Sequence, residues 1–164
     1  VFRIKWMSDT LKSIKPKSIL EVGVWCGDYT YRLTEPEFSF VEEYHGVDFS
    51  QESLNWARKR IPDPRFNFIK GTAEDIPLPD KSVDVSLAAE VLEHVVDLDK
   101  ALKELERVTK DFVLITVPNF TDNNMGHVRI MNPEKYLPKD KIECLYYETG
   151  DPSNNGWLCS WDVR

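Results

Sequence analysis

"LEVGVWCGDYT", residues 20 to 30, decides the reading of this chain. An apolar run, Ser18-Ile19-Leu20, leads into an acid, Glu21. Gly23 follows, and Gly27 comes four residues later. A strand that breaks into glycines this way reads as a ligand-facing turn of an α/β sheet. Trp25 stands where a dinucleotide turn, G-x-G-x-x-G, needs its second glycine for close backbone approach to a pyrophosphate. No glycine follows Gly27 at the required interval, and there is no GK[ST] of a P-loop. The spacing therefore argues against a nicotinamide dehydrogenase. Trp25 is expected to adopt an ordinary backbone conformation with its ring turned away from the ligand.

Outward from this turn, two periodicities alternate. Apolar runs of strand length occupy 17–23, 44–49, 66–71, 83–89 and 111–117. Between them, residues 50–61 start at Ser50, an N-cap residue, and place Leu54, Ala57 and Ile61 on one stripe. Residues 97–109 place Leu98, Ala101, Leu102, Leu105 and Val108 on one face, with Glu106 and Lys110 spaced for an i,i+4 pair. Residues 3–14 read as a covering helix, and 133–137 as a turn or two. Such alternation predicts a parallel sheet with helices on both faces. Residues 141–148 and 157–163 are strand-like and joined by TGDPSNNG, so they must pair antiparallel. The expected fold is α/β: a Rossmann-like doubly wound sheet of five parallel strands plus a C-terminal antiparallel hairpin, as one domain over 1–164.

Bulk properties set limits on function. The chain has 164 residues and a net charge of −7, which argues against a nucleic-acid partner. Three cysteines, Cys26, Cys144 and Cys159, are sparse and odd in number and read as reduced thiols of a cytoplasmic protein. No apolar stretch reaches the ~20 residues of a membrane span. Val1 rather than Met stands first, so the native N-terminus is expected to lie outside this sequence.

A cofactor without phosphates has less need of a middle glycine. S-adenosyl-L-methionine presents a nucleoside, a sulfonium and an amino acid, and candidates for each occur in order at strand ends. Glu21 ends the first strand, where an acid suits the amino group. Gly23, Val24 and Gly27 form the turn. Asp48 ends the second strand, where a carboxylate accepts from ribose hydroxyls, and Phe49 beside it covers adenine. Thr72, Ala73 and Glu74 follow the third strand. Each alone has a plainer reading: Glu21 as a helix-dipole partner, Asp48 as a helix cap.

The sequence resembles class I S-adenosylmethionine-dependent methyltransferases, near the group that includes ubiquinone-biosynthesis O-methyltransferases. The resemblance covers roughly 17–137 and is most specific in "GTAEDIPLPDKSVDVSLAAEVLEHVVD". It implies the seven-stranded methyltransferase fold, the cofactor above with S-adenosyl-L-homocysteine as product, Ala89 and Glu90 at the end of the fourth strand passing under that cofactor, and a small-molecule acceptor with a hydroxyl or amine. Two departures, Trp25 and Thr72 (where the family often has Asp), favour a rival reading as a regulatory protein that binds the cofactor without transferring its methyl.

Catalysis points to the loop after the fourth strand. His94 in "EVLEH" is the expected general base, with Glu93 and His127 beside it. Glu90, Glu93 and His94 lie at i, i+3 and i+4, and His127 follows the fifth strand. Two carboxylates and two imidazoles suit a divalent ion. That set resembles the ExxEH-plus-His arrangement of small-RNA 3′-terminal 2′-O-methyltransferases, which makes RNA ribose a further alternative acceptor.

Overall fold

The structure is a computed structural model that describes residues 2–119, 126–128, 132–137, 142–148 and 155–164. One seven-stranded sheet runs β3-β2-β1-β4-β5-β7-β6. The strands are β1 (Ser18–Val22), β2 (Glu43–Asp48), β3 (Phe66–Lys70), β4 (Val83–Ala89), β5 (Thr109–Pro118), β6 (Ile142–Tyr147) and β7 (Gly156–Asp162). β1 to β5 are mutually parallel, and β7 runs antiparallel to both β5 and β6. The expected sheet and its terminal hairpin are thus present. Most of the connector TGDPSNNG lies outside the described residues.

Strand alternation assigns each face its helices. Leu20, Val22, Val113 and Ile115 face one cluster, which helix α4 (Leu98–Val108) seals with Leu98, Ala101, Leu102, Leu105 and Val108. Ile19, Tyr44, Val85 and Leu87 face the other, closed by Met7 and Leu11 of α1 (Phe2–Ile14), Tyr29 of α2 (Asp28–Arg32), and Leu54 and Ala57 of α3 (Gln51–Arg60). Ser50 caps α3 by accepting from Ser53 N–H at 3.2 Å, and Asp97 caps α4 by accepting from Lys100 N–H at 3.0 Å. A last short helix, α5 (Pro133–Tyr136), precedes β6.

Two local expectations are corrected. Lys110 belongs to β5 and pairs with Asp84 at 3.1 Å, while Glu106 accepts from the Trp161 indole at 3.1 Å. The helix ends at Val108 because Thr109 turns into the strand (ψ 138°), so no i,i+4 pair forms. The cysteines are not all reduced: Cys144 and Cys159 form a disulfide, and Cys26 is free. Those two stand directly opposite in the β6–β7 register, a juxtaposition that their separation of 15 residues conceals in the sequence.

Candidate active site

β1 sits mid-sheet with β2 on one side and β4 on the other, so the chain reverses direction of growth between β1 and β4. Beyond the carboxyl ends at such a switch point, backbone loops diverge and leave a crevice. Here that crevice is a cavity of about 500 Å³. Val22, Gly23 and Trp25 line it from β1, Asp48, Phe49, Ser50 and Ser53 from β2 and α3, Gly71 to Glu74 from β3, and Glu90, Val91 and His94 to Val96 from β4. The volume and mainly apolar wall suit a small ligand.

The first turn is built from left-handed residues. Gly23 has φ 75° and Gly27 φ 76°, and Trp25 between them has φ 50°. This corrects the expectation of ordinary backbone at Trp25, since a side chain there costs about 1–2 kcal/mol. What holds it is Asp48, whose carboxylate accepts from Trp25 N–H at 2.8 Å and from Ser50 N–H at 2.8 Å. Asp48 is 7% exposed yet lines the cavity, and a two-oxygen carboxylate retains lone pairs for further donors. Trp25 is 66% exposed at the cavity mouth. A Cβ on Gly23 would collide with the Val91 side chain, so this glycine lets the β1 and β4 loops close on each other.

Four expected cofactor residues lie off the cavity wall. Glu21 points to the opposite face of the sheet from Leu20 and Val22, as strand alternation requires. There it accepts from the Thr30 hydroxyl at 2.9 Å and from the Tyr44 hydroxyl. Burial pushes its carboxyl up to about 7. Val24 is buried in the same face's core, and Ala89 packs against it. Gly27 caps α2 and lets it approach Ala57 of α3 and Ile61 just past that helix. By contrast Gly23, Asp48, Phe49, Thr72, Ala73, Glu74 and Glu90 all line the cavity. Thr72 pairs by backbone with Asp75, and Glu74 accepts from Val96 N–H at 3.0 Å, tying the β3 loop to the β4 loop.

At the β4 end, ionisable groups crowd together. Glu93 is 1% exposed; one oxygen lies 3.7 Å from His94 Nε2 and the other has no hydrogen-bond partner. Burial, then the charge of Glu90, pushes its carboxyl up to about 8. The His94 and His127 rings meet edge to face at 4.9 Å between centroids. Ligand atoms of Glu93, His94 and His127 fall within 4.8 Å of one another. Glu90 has φ 56° and is held by Arg3 and by the Thr116 hydroxyl at 2.9 Å, while burial raises its carboxyl above the usual range. Sequence reasoning missed Arg3 and Thr116. Thr116 had a signal, its place near the end of the strand beside β4; Arg3 in "FRIKW" had none.

A seven-stranded sheet in this order, with a cavity over the β1/β4 switch point, is the architecture of class I methyltransferases. The chain belongs to that S-adenosylmethionine-dependent family: the model described as "Methyltransferase domain" matches residues 20–114. It is 36% identical over 111 residues to the demethylmenaquinone methyltransferase of Lysinibacillus sphaericus, covering 65% of this chain and 47% of that protein. It is 31% identical over 131 residues to the 2-phytyl-1,4-naphtoquinone methyltransferase of Trichormus variabilis, covering 77% of this chain and 55% of that one. The YcgJ protein of Bacillus subtilis superimposes with a TM-score of 0.73 at 20% identity, over 90% of this chain and 70% of that chain. The chain spans about half the length of the curated relatives it matches. No helix among the described residues is long and apolar enough to cross a membrane.

Proposed function

We propose that the chain binds S-adenosylmethionine in the 500 Å³ cavity and transfers its methyl group to a hydroxyl or amine of a small-molecule acceptor. The observation that carries this reading is one cavity with two chemically distinct ends: the Asp48 carboxylate at one, and Glu90 and His94 at the other. The names of the quinone-modifying relatives support a small acceptor.

The cofactor supplies an electrophilic methyl on a sulfonium. The protein's share is placement and exclusion of water. Asp48 accepts from the ribose hydroxyls, Phe49 covers adenine, and Thr72 and Ala73 bound the adenine slot. Gly23 admits the amino-acid end against bare backbone. His94, 39% exposed at its side chain, takes the acceptor's proton.

The contact among Glu93, His94 and His127 favours a second form of this reading, in which the three hold a divalent ion. Two imidazoles and a carboxylate suit such an ion, and the unpartnered Glu93 oxygen supplies a vacant donor. An ion there would lower the pKa of an acceptor hydroxyl. His94 would then be a ligand and not the base. An acceptor screen with methyl-labelled cofactor, run with and without EDTA, separates the two. Label transfer that survives EDTA leaves His94 as base. Cofactor binding with no transfer to any acceptor supports the regulatory alternative, and transfer to RNA supports the ribose one.

A further inference from the structure

Glu90 stands apart from Glu93, His94 and His127, although both histidines and Glu93 act on it electrostatically. Its two oxygens are committed elsewhere. One pairs with Arg3 Nη1 and the other accepts from the Thr116 hydroxyl. Arg3 lies 87 residues away in sequence, on the first turn of α1. Its neighbour Phe2 packs on Tyr147 with ring centroids 5.5 Å apart, so the tip of α1 is fastened over the acceptor end of the cavity by two side chains. The paired side chains of Arg3 and Glu90 are 33% and 27% exposed, which leaves their charges only partly screened.

The geometry points to Arg3 as a gate on the metal site: by pairing with Glu90 it withholds a fourth ligand from an ion on Glu93, His94 and His127. This rests on the metal form of the reading above. Three protein ligands make an open site, and a further carboxylate would tighten it. A dication drawn to Glu90 and the Arg3 guanidinium repel each other and compete for one carboxylate. Ion uptake and docking of the α1 tip therefore oppose each other, and by linkage each weakens the other by the same factor. Whatever draws Arg3 off Glu90 loads the ion.

Titration with Co²⁺, without cofactor or acceptor and followed by calorimetry and visible absorption, tests this directly. We expect Arg3→Gln to bind Co²⁺ at least about tenfold more tightly than the unaltered chain, a difference of 1.4 kcal/mol. Arg3→Lys keeps the charge and should stay near the unaltered value. Adding Glu90→Gln to Arg3→Gln should cancel the gain. In the unaltered chain, Co²⁺ should speed amide hydrogen exchange at residues 2–7. Equal affinities for the unaltered chain and Arg3→Gln would overturn the gate and leave the metal site standing, as would α1 exchange that binding leaves unchanged. If neither protein takes up Co²⁺, the gate and the metal reading fall together.

Discussion

The two ends of the cavity are built by different means. The end proposed for the cofactor is made of short turns that follow β1, β2 and β3, and its key contacts are local or between adjacent strands. Asp48 fastens the Trp25 and Ser50 N–H groups, and Gly23 N–H reaches Val47 carbonyl on the next strand at 2.8 Å. The end proposed for the acceptor is assembled from far apart: Arg3 meets Glu90, and His94 meets His127 and the Gly126 carbonyl at 3.2 Å. It also holds two carboxyls, Glu90 and Glu93, whose burial raises them above their ordinary range. A site that must recognise one fixed molecule can be made of backbone geometry. A site that must move a proton or take an ion needs ionisable groups held out of water, and only tertiary structure supplies that.

The harshest way to break the cofactor end is Gly23→Val. The new side chain meets Val91 and the backbone stays at φ 75°. Strain and overpacking together should cost at least about 3 kcal/mol. Loss of cofactor binding with a lowered melting temperature is the expected result, and a binding-competent variant would show that the two loops need not close so tightly.

Glu21→Gln sharpens the contrast from below the sheet. Its native carboxyl sits near 7 against an ordinary 4.5, so the folded state holds a proton that the unfolded state releases. Stability is therefore greatest below about pH 4.5 and falls as pH rises through the native value. The whole fall attributable to this group is about 3 kcal/mol, at 1.36 kcal/mol per unit. Glutamine keeps an acceptor for Tyr44 and Thr30 and should flatten the slope between pH 5 and 7. Denaturant midpoints across that range are the measurement, and identical slopes would mean Glu21 is ionised at no cost.

Trp25→Gly should do least. Relief of the left-handed backbone offsets the added freedom of the unfolded chain, so stability should stay within about 1 kcal/mol. Cofactor affinity should change less than about threefold, under 0.7 kcal/mol. A larger loss would make the exposed indole ring a cofactor contact.

The same division explains what could be read in advance. Strand and helix periodicity gave the sheet, the hairpin, Ser50 as a cap and the five buried residues of α4, because each signal is confined to one element. Asp48, Phe49 and Thr72 to Glu74 were legible because strand ends in this architecture face one crevice. Glu21 went to the other face for a reason already in the sequence: it alternates with Leu20 and Val22. The backbone of Trp25 was hidden, since its left-handed turn is held by Asp48 from another strand. Arg3 on Glu90 and the Cys144–Cys159 pair were also hidden, because sheet register and helix docking create them.

If this cavity binds S-adenosylmethionine, Asp48 holds its ribose. Calorimetric titration of the chain and of Asp48→Ala tests it most directly. Hydrogen bonds to a charged group contribute roughly 1.5–3 kcal/mol each, less where water replaces them. We expect one cofactor per chain and at least about tenfold weaker binding for a folded Asp48→Ala, a loss of 1.4 kcal/mol. No binding to the unaltered chain, or equal affinity for both, would contradict it.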